Sequence, residues 1–400
     1  MRLPLPTSKL KKNLFSLFLI FSIIGVYTWL NFKTEYSEKD FIKIQNYCQS
    51  VKTPKQQCWS DQIKTLISKK GIDASLEATA YLFENEPEFS QSCHSIVHEI
   101  GNAAYQQLVR GKALKVNEKT GYCGFGFHHG FMEALFLYSS DLEEAKKFCA
   151  DIGEQLKDSA PDAELQCYHG IGHGTVGVHD PSFWGDEEAM INPALKLCEQ
   201  VSTTDEQLYR CSSGVFNGIA VFYINHEYEL EINQEDPLWL CHLQLDVYKE
   251  PCYGNMNVAL MNLSGNDFVK AANYIVSTVK DIKYSGPALR YLSGVLALLN
   301  VEENDHQASI EQCRTLSKEL YPFCIQGFVH GLLEHGIPNK EYEAALDFCR
   351  SQEFSSDEKE ICFKYSLEGL HGWYPQDRAK EICLKVEPEL RHYCQRENYQ

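Results

Sequence analysis

Residues 123–133 read Cys123-Gly-Phe-Gly126-Phe-His-His129-Gly130-Phe-Met-Glu133, and residues 167–174 read Cys167-Tyr-His-Gly170-Ile-Gly-His173-Gly174. Both obey one rule: Cys, two residues, Gly, two residues, His, Gly. The rule recurs with Asn in place of His at Cys211-Ser-Ser-Gly214-Val-Phe-Asn217-Gly218. It returns with His at Cys324-Ile-Gln-Gly327-Phe-Val-His330-Gly331. Degraded copies read Cys252-Tyr-Gly-Asn-Met-Asn257 and Tyr291-Leu-Ser-Gly-Val-Leu-Ala297. Cys362 leads to His371-Gly372 over a longer gap, and Cys93 leads to His94 and His98 with no matching Gly. Positions 129, 173, 217, 257, 297, 330 and 371 are 44, 44, 40, 40, 33 and 41 residues apart. A period near forty predicts stacked helical hairpins.

The other half of each unit is an Ala-rich segment leading to Cys: Ala145 to Cys149, Ala194 to Cys198, Ala344 to Cys349 and Ala379 to Cys383. Its apolar residues fall at helical spacing. Turn signals such as Asp-Ser-Ala-Pro161 and Ser355-Ser-Asp-Glu358 precede the next motif helix. Strand-like alternation is scarce. The fold class expected is all-α: about eight hairpin units of roughly forty residues, stapled by disulfides, in an open α/α solenoid or a closed α/α toroid.

The cysteines follow from this register. The one closing each hairpin precedes the one opening the next motif helix, which pairs Cys149–Cys167, Cys198–Cys211, Cys241–Cys252, Cys313–Cys324, Cys349–Cys362 and Cys383–Cys394. Such junctions bring α-carbons to the ~5.5 Å that a disulfide needs. The unit that lacks Cys at Tyr291 also lacks one between Ala271 and Lys280. Cys48–Cys58 fits the same local spacing, and Cys93–Cys123 remains by elimination. Sixteen cysteines, an even number and 4% of the chain, point to an oxidising compartment. With no Cys-x₂-Cys knuckle in the sequence, zinc–thiolate sites are disfavoured.

Five Lys or Arg and no acid precede residue 34, around an apolar run from Leu14 to Leu30. Seventeen residues at ~1.5 Å rise span ~26 Å, at the short end for a bilayer helix. The run ends in Tyr27-Thr-Trp29-Leu-Asn-Phe32 and offers no small-x-small cleavage site. The expected organisation is therefore a cytoplasmic basic tail (1–12), an uncleaved transmembrane signal anchor (13–32) and an extracytoplasmic helical domain (33–400). The formal charge of −18 overall becomes −23 from residue 34 onward. That charge disfavours a nucleic-acid partner and contact with anionic lipid surfaces. The apolar fraction of 44% excludes wholesale disorder.

Gly costs up to about 1 kcal/mol inside a helix, so its recurrence there needs a reason. At i and i+4, as in Gly126/Gly130, Gly170/Gly174, Gly214/Gly218 and Gly327/Gly331, it lies on one stripe. The motif helices are expected to meet closely as an inner layer, with the Cys-bearing helices outside. Each His flanks that contact. His129 with Glu133 and His330 with Glu334 add an acid at i+4, a pair suited to metal ligation or acid–base work. The candidate metal ligands are His98, His129 and His173, with Glu133 or Glu99 as general base. A divalent metal such as zinc is the cofactor this cluster would take. Asn217, Asn257, His330, Glu334 and His371 are expected on the inner surface. His128, His169 and His179 are read as surface or supporting residues. The rival reading keeps the repeated His structural, as a buried hydrogen bonder. Asn in its place at 217 and 257 suits that role.

No Gly-x-Ser-x-Gly elbow, Walker loop, dinucleotide fingerprint or His-Glu-x-x-His stands in the chain. The Gly-x-x-His-Gly helices resemble those of α/α-toroid proteins, including lanthionine-synthetase-like cyclases. In those, a ring of hairpins surrounds a zinc held by two Cys and one His. The resemblance covers the helix rhythm over most of the body and implies a central site. Here the cysteines are assigned to disulfides, so no site residue carries over. Two functions remain open: a membrane-anchored repeat protein binding a protein or small-molecule partner on its His/Gly-lined inner surface, or a metal-dependent enzyme using the His/Glu cluster.

Overall fold

The computed structural model describes residues 38–139, 141–177, 180–300, 306–337 and 340–394. The expected basic tail and membrane anchor lie outside the described residues. Among the described residues, no helix is long and apolar enough to cross a membrane.

The described chain is all-helical, with no strand. Helices α1 (Glu38–Ser50), α2 (Lys55–Lys70) and α3 (Ile72–Asn85) lead into α4 (Ser90–Val109). Then follow α5 (Gly126–Tyr138), α6 (Leu142–Leu156), α7 (Ala163–Thr175), α8 (Glu187–Val201) and α9 (Asp205–Asn225). The chain continues with α10 (Trp239–His242), α11 (Asp246–Asn255), α12 (Asn257–Leu263), α13 (Phe268–Thr278) and α14 (Ile282–Asn300). It closes with α15 (His306–Arg314), α16 (Tyr321–His335), α17 (Glu341–Cys349), α18 (Ser356–Trp373) and α19 (Gln376–Cys383).

The two expected layers are present. The motif helices α4, α5, α7, α9, α11, α14, α16 and α18 each pack on the next, and the intervening helices α6, α8, α10, α13, α15, α17 and α19 pack outside them. Helix starts are locally encoded. Asp141, Asp186, Thr204 and Asp267 accept backbone N–H bonds in the first turns of α6, α8, α9 and α13. Ser355 and Glu358 form a capping box at α18.

All eight expected disulfides are formed, with α-carbons 5.3 to 6.2 Å apart, and no cysteine is free. The Gly stripe brings motif helices together backbone to backbone. A β-carbon on Gly130 would stand 2.0 Å from the His98 carbonyl oxygen, and one on Gly327 would stand 1.8 Å from that of Arg290. No side chain fits there, so the helical cost of Gly is offset by close packing of the inner layer.

Two local features differ from the expected repeat. Helix α6 runs past Cys149 to Leu156. Cys123 does not open a helix: Cys123, Gly124 and Phe125 have φ of 58°, 62° and 59°, and α5 starts only at Gly126. Two non-Gly residues thus sit in the left-handed region, which costs of order 1 kcal/mol each. The Cys93–Cys123 bridge and a bond from His94 to the Cys123 carbonyl tie this turn to α4.

Candidate polyhistidine site

His94 and His98 are one turn apart on α4, and His169 and His173 one turn apart on α7, so each pair shares a helix face. His129 projects from α5, which packs between α4 and α7. Its ring centroid lies 5.1 Å from His94, 5.3 Å from His98, 4.8 Å from His169 and 5.1 Å from His173. The three ligands expected from the sequence are neighbours here, but they divide between two groups. His94, His98 and His129 form one, His129, His169 and His173 the other. Within each group the candidate ligand nitrogens lie within 4.8 Å of one another.

The hydrogen-bond partners fix which nitrogen carries the proton. His94 Nδ1 lies 2.8 Å from the Cys123 carbonyl, which can only accept, so Nδ1 donates and Nε2 is bare. His98 Nδ1 faces Glu133 Oε2 at 3.3 Å. With its proton on Nδ1, toward that carboxylate, His98 has a bare Nε2; with the proton on Nε2, it donates to His94 Nε2 at 3.2 Å. Ser213 gives its hydroxyl proton to the Arg210 carbonyl and must accept at 2.8 Å from His169 Nδ1. His173 Nδ1 faces Glu133 Oε1 at 3.7 Å, Asn217 hydrogen-bonds the same ring, and the buried Nε2 has no partner.

His94, His169 and His173 therefore present bare Nε2 atoms while backbone, hydroxyl or carboxylate groups face their Nδ1, and His98 does the same in one of its two tautomers. That is the arrangement of metal-ligating imidazoles with orienting partners. The Nε2 atoms of His94 and His98 are 3.2 Å apart. A proton on His98 Nε2 bridges them, and with both nitrogens bare a cation between them offsets the lone-pair repulsion. Two nitrogens bound to one tetrahedral zinc at about 2.0–2.1 Å stand about 3.3 Å apart. His129 is 3% exposed, and neither of its ring nitrogens has a partner. Such a buried, unsatisfied polar atom costs about 1–3 kcal/mol.

Electrostatics agree. Burial, then the charges of neighbouring imidazoles, push His129 and His169 well below the usual histidine range. Burial and His98 bring His94 to about 3. Burial brings His173 to about 4, although Glu133 acts the other way. Burial opposes ionisation of Glu133, but His98 and then His173 and His94 more than offset it, so its pKa is lowered. Neutral imidazoles beside an ionised carboxylate are the protonation states a metal needs. Glu133 keeps 39% of its side chain accessible, and His94 is also exposed.

Glu99 is not part of this arrangement. Adjacent helical residues diverge by about 100°, and Glu99 turns to α2, accepting from Ser60 and pairing with Lys64 at 2.9 Å. His128 is not at the surface: it is fully buried against Phe125 and Phe127. His169 belongs to the cluster. His179 lies outside the described residues. Asn217 borders the cluster through His173, and Asn257 is buried at the first residue of α12. His371 stands in the last turn of α18, and its side chain lies outside the described set. His330 pairs with Glu334 at 3.7 Å, and its edge meets Trp373. A β-carbon on Gly124 would stand 3.3 Å from His94 Nδ1 and 3.8 Å from Glu334 Oε1, so the second His/Glu unit reaches the rim of the cluster. Residues Gly124, Asp162, Glu334 and Tyr374 line one cavity of about 120 Å³ beside it.

Fold and site define a disulfide-stapled, two-layered helical protein with five histidines and one glutamate converging on its inner helices. No family model, curated protein or solved structure matches the chain.

Proposed function

We propose that this chain is a membrane-anchored, extracytoplasmic metal-binding protein whose hairpins close into an α/α toroid around the histidine cluster. The observation that carries the reading is His129: a buried imidazole with two unpartnered nitrogens, ringed by four other imidazoles. Imidazole donors without thiolate suit zinc, copper or nickel, and every cysteine is held in a disulfide. Closure is supported by Glu334 of α16 reaching Gly124, and by the cavity shared by residues 121–125 and 372–375. Eight disulfides support an oxidising compartment, and the basic-then-apolar N-terminus supports the anchor. A protein or small-molecule partner would approach from the accessible side of His94 and Glu133, and the acidic body does not favour nucleic acid.

A second reading, a metal-dependent enzyme, rests on Glu133. Three imidazole ligands leave a fourth zinc position open. The ionised, partly accessible Glu133 carboxylate would hold the Nδ1–H of His98 and His173, and a bound metal would supply Lewis-acid activation of water.

The test is metal analysis of the full chain purified from an oxidising compartment and reconstituted with zinc or copper. Stoichiometric metal that a chelator removes is the expected result. No bound metal after reconstitution of the folded chain overturns the proposal. Metal-dependent turnover that Glu133→Gln removes at saturating metal favours the enzyme, and metal retention without chemistry favours a binding role.

A further inference from the structure

We propose that the cluster is a dinuclear site in which two divalent transition-metal ions share the imidazole ring of His129. One ion is held with His94 and His98, the other with His169 and His173. This rests on the metal-binding reading above and goes beyond it in number and connectivity.

Three observations favour two ions over one. First, the ligand nitrogens separate into two triads, and His129 is the member common to both. Second, both ring nitrogens of His129 are buried and unpartnered. A single ion satisfies one of them and leaves the other orphaned, whereas two ions satisfy both. Third, Glu133 spans the triads, with Oε2 toward His98 of one and Oε1 toward His173 of the other. One carboxylate thus orients a ligand of each ion, and its charge lies between them.

The geometry is consistent with a shared ring. With metal–nitrogen bonds of about 2.0–2.1 Å on either side of the imidazole, the ions stand about 6 Å apart. Closing each triad from its 4.8 Å limit to tetrahedral spacing needs side-chain shifts of about 1 Å. The balance is simple: the second ion takes the place of the His129 ring proton, which leaves to solvent. No oxidant or reductant is involved.

Copper(II) is the probe, because coupling through a shared imidazole is visible by electron paramagnetic resonance. The full chain is stripped with chelator and titrated with copper(II). The expected result is two equivalents per chain, with loss of most of the isolated-copper signal as the second binds. His169→Ala is expected to hold one equivalent with a full uncoupled signal, and His94→Ala likewise. Two equivalents that stay magnetically independent overturn the shared ring. One equivalent in the wild-type chain overturns the dinuclear site and leaves the metal-binding reading standing. No copper bound by a chain with intact near-ultraviolet circular dichroism removes both. The wild-type titration decides the matter even where a variant fails to fold.

Discussion

Gly130 lets α5 meet α4 at His98: a β-carbon on Gly130 would stand 2.0 Å from the His98 carbonyl oxygen. The obstacle is backbone, so the two helices must separate to admit even a methyl group. Gly130→Ala is expected to cost about 3 kcal/mol or more, in the range of severe overpacking. Gly372 on α18 is the counterpart. A β-carbon there meets nothing within 4 Å, so Gly372→Ala should be neutral or stabilise by up to about 1 kcal/mol. Urea unfolding of both variants checks the contrast. Equal effects would contradict the close-approach role of Gly130.

Glu133 and Glu99 differ sharply in role. Glu133 faces Nδ1 of His98 and His173, and Glu99 faces Ser60 and Lys64. Removing an orienting carboxylate typically lowers metal affinity 10–100-fold. Glu133→Gln is expected to show that loss in competition against a chelator, with the fold retained. Glu99→Gln should leave affinity unchanged and cost at most about 1 kcal/mol, since its ion pair is partly exposed.

The disulfides were legible because partners flank one helix–turn–helix junction, and because the unit around Ala271 and Tyr291 loses both cysteines together. The motif histidines were legible from the repeat register. His94 and His169 were not, since that register marks only the residue before the second Gly. The signal that finds them is the i, i+4 relation to His98 and His173, which puts a pair of imidazoles on one face of each helix flanking α5. Glu99 misleads because neighbours in sequence diverge around a helix. The left-handed turn Cys123–Phe125 has no local signature beyond Gly124: the bridge to Cys93 and the bond from His94, both tertiary, impose it.

Glu358 gives a pH dependence away from the cluster. It accepts from Arg314 Nε and Nη2 at 3.0 and 2.9 Å, from Ser355 N at 2.7 Å and from Tyr321 at 2.8 Å. The Arg314 bond is the largest cause of a pKa lowered to about 2; burial acts against it. A depressed carboxylate stabilises the fold above its unfolded pKa near 4.5 and loses that contribution as pH falls toward 2. Linkage alone puts it above about 3 kcal/mol at neutral pH; the Arg314 partner is 39% accessible, so solvent screening reduces that to about 2 kcal/mol or less. The stability gap between wild type and Glu358→Gln should be up to about 2 kcal/mol at pH 6 and nearly vanish at pH 2. A gap that widens in acid would contradict the assignment. Acid effects of the buried histidines are common to both proteins and cancel in the difference.

Two bridges separate stability from site geometry. Cys313–Cys324 closes an 11-residue separation and holds no partner of the five clustered histidines, and Cys93–Cys123 closes one of 30 residues beside them. On the chain-entropy model each restricts the unfolded chain by about 3–4 kcal/mol, the longer loop by more. Replacing both cysteines of either bridge with serine should therefore lower the melting temperature. Only the second replacement frees the Cys123 carbonyl that holds His94 Nδ1–H. With that acceptor loose, His94 loses its fixed tautomer and orientation, and metal affinity should fall about 10-fold or more. The Cys313→Ser/Cys324→Ser protein, measured below its lowered melting point, should bind metal as wild type does. If the Cys93→Ser/Cys123→Ser protein also keeps wild-type affinity, the strained turn is not what orients His94, and its backbone cost serves packing alone.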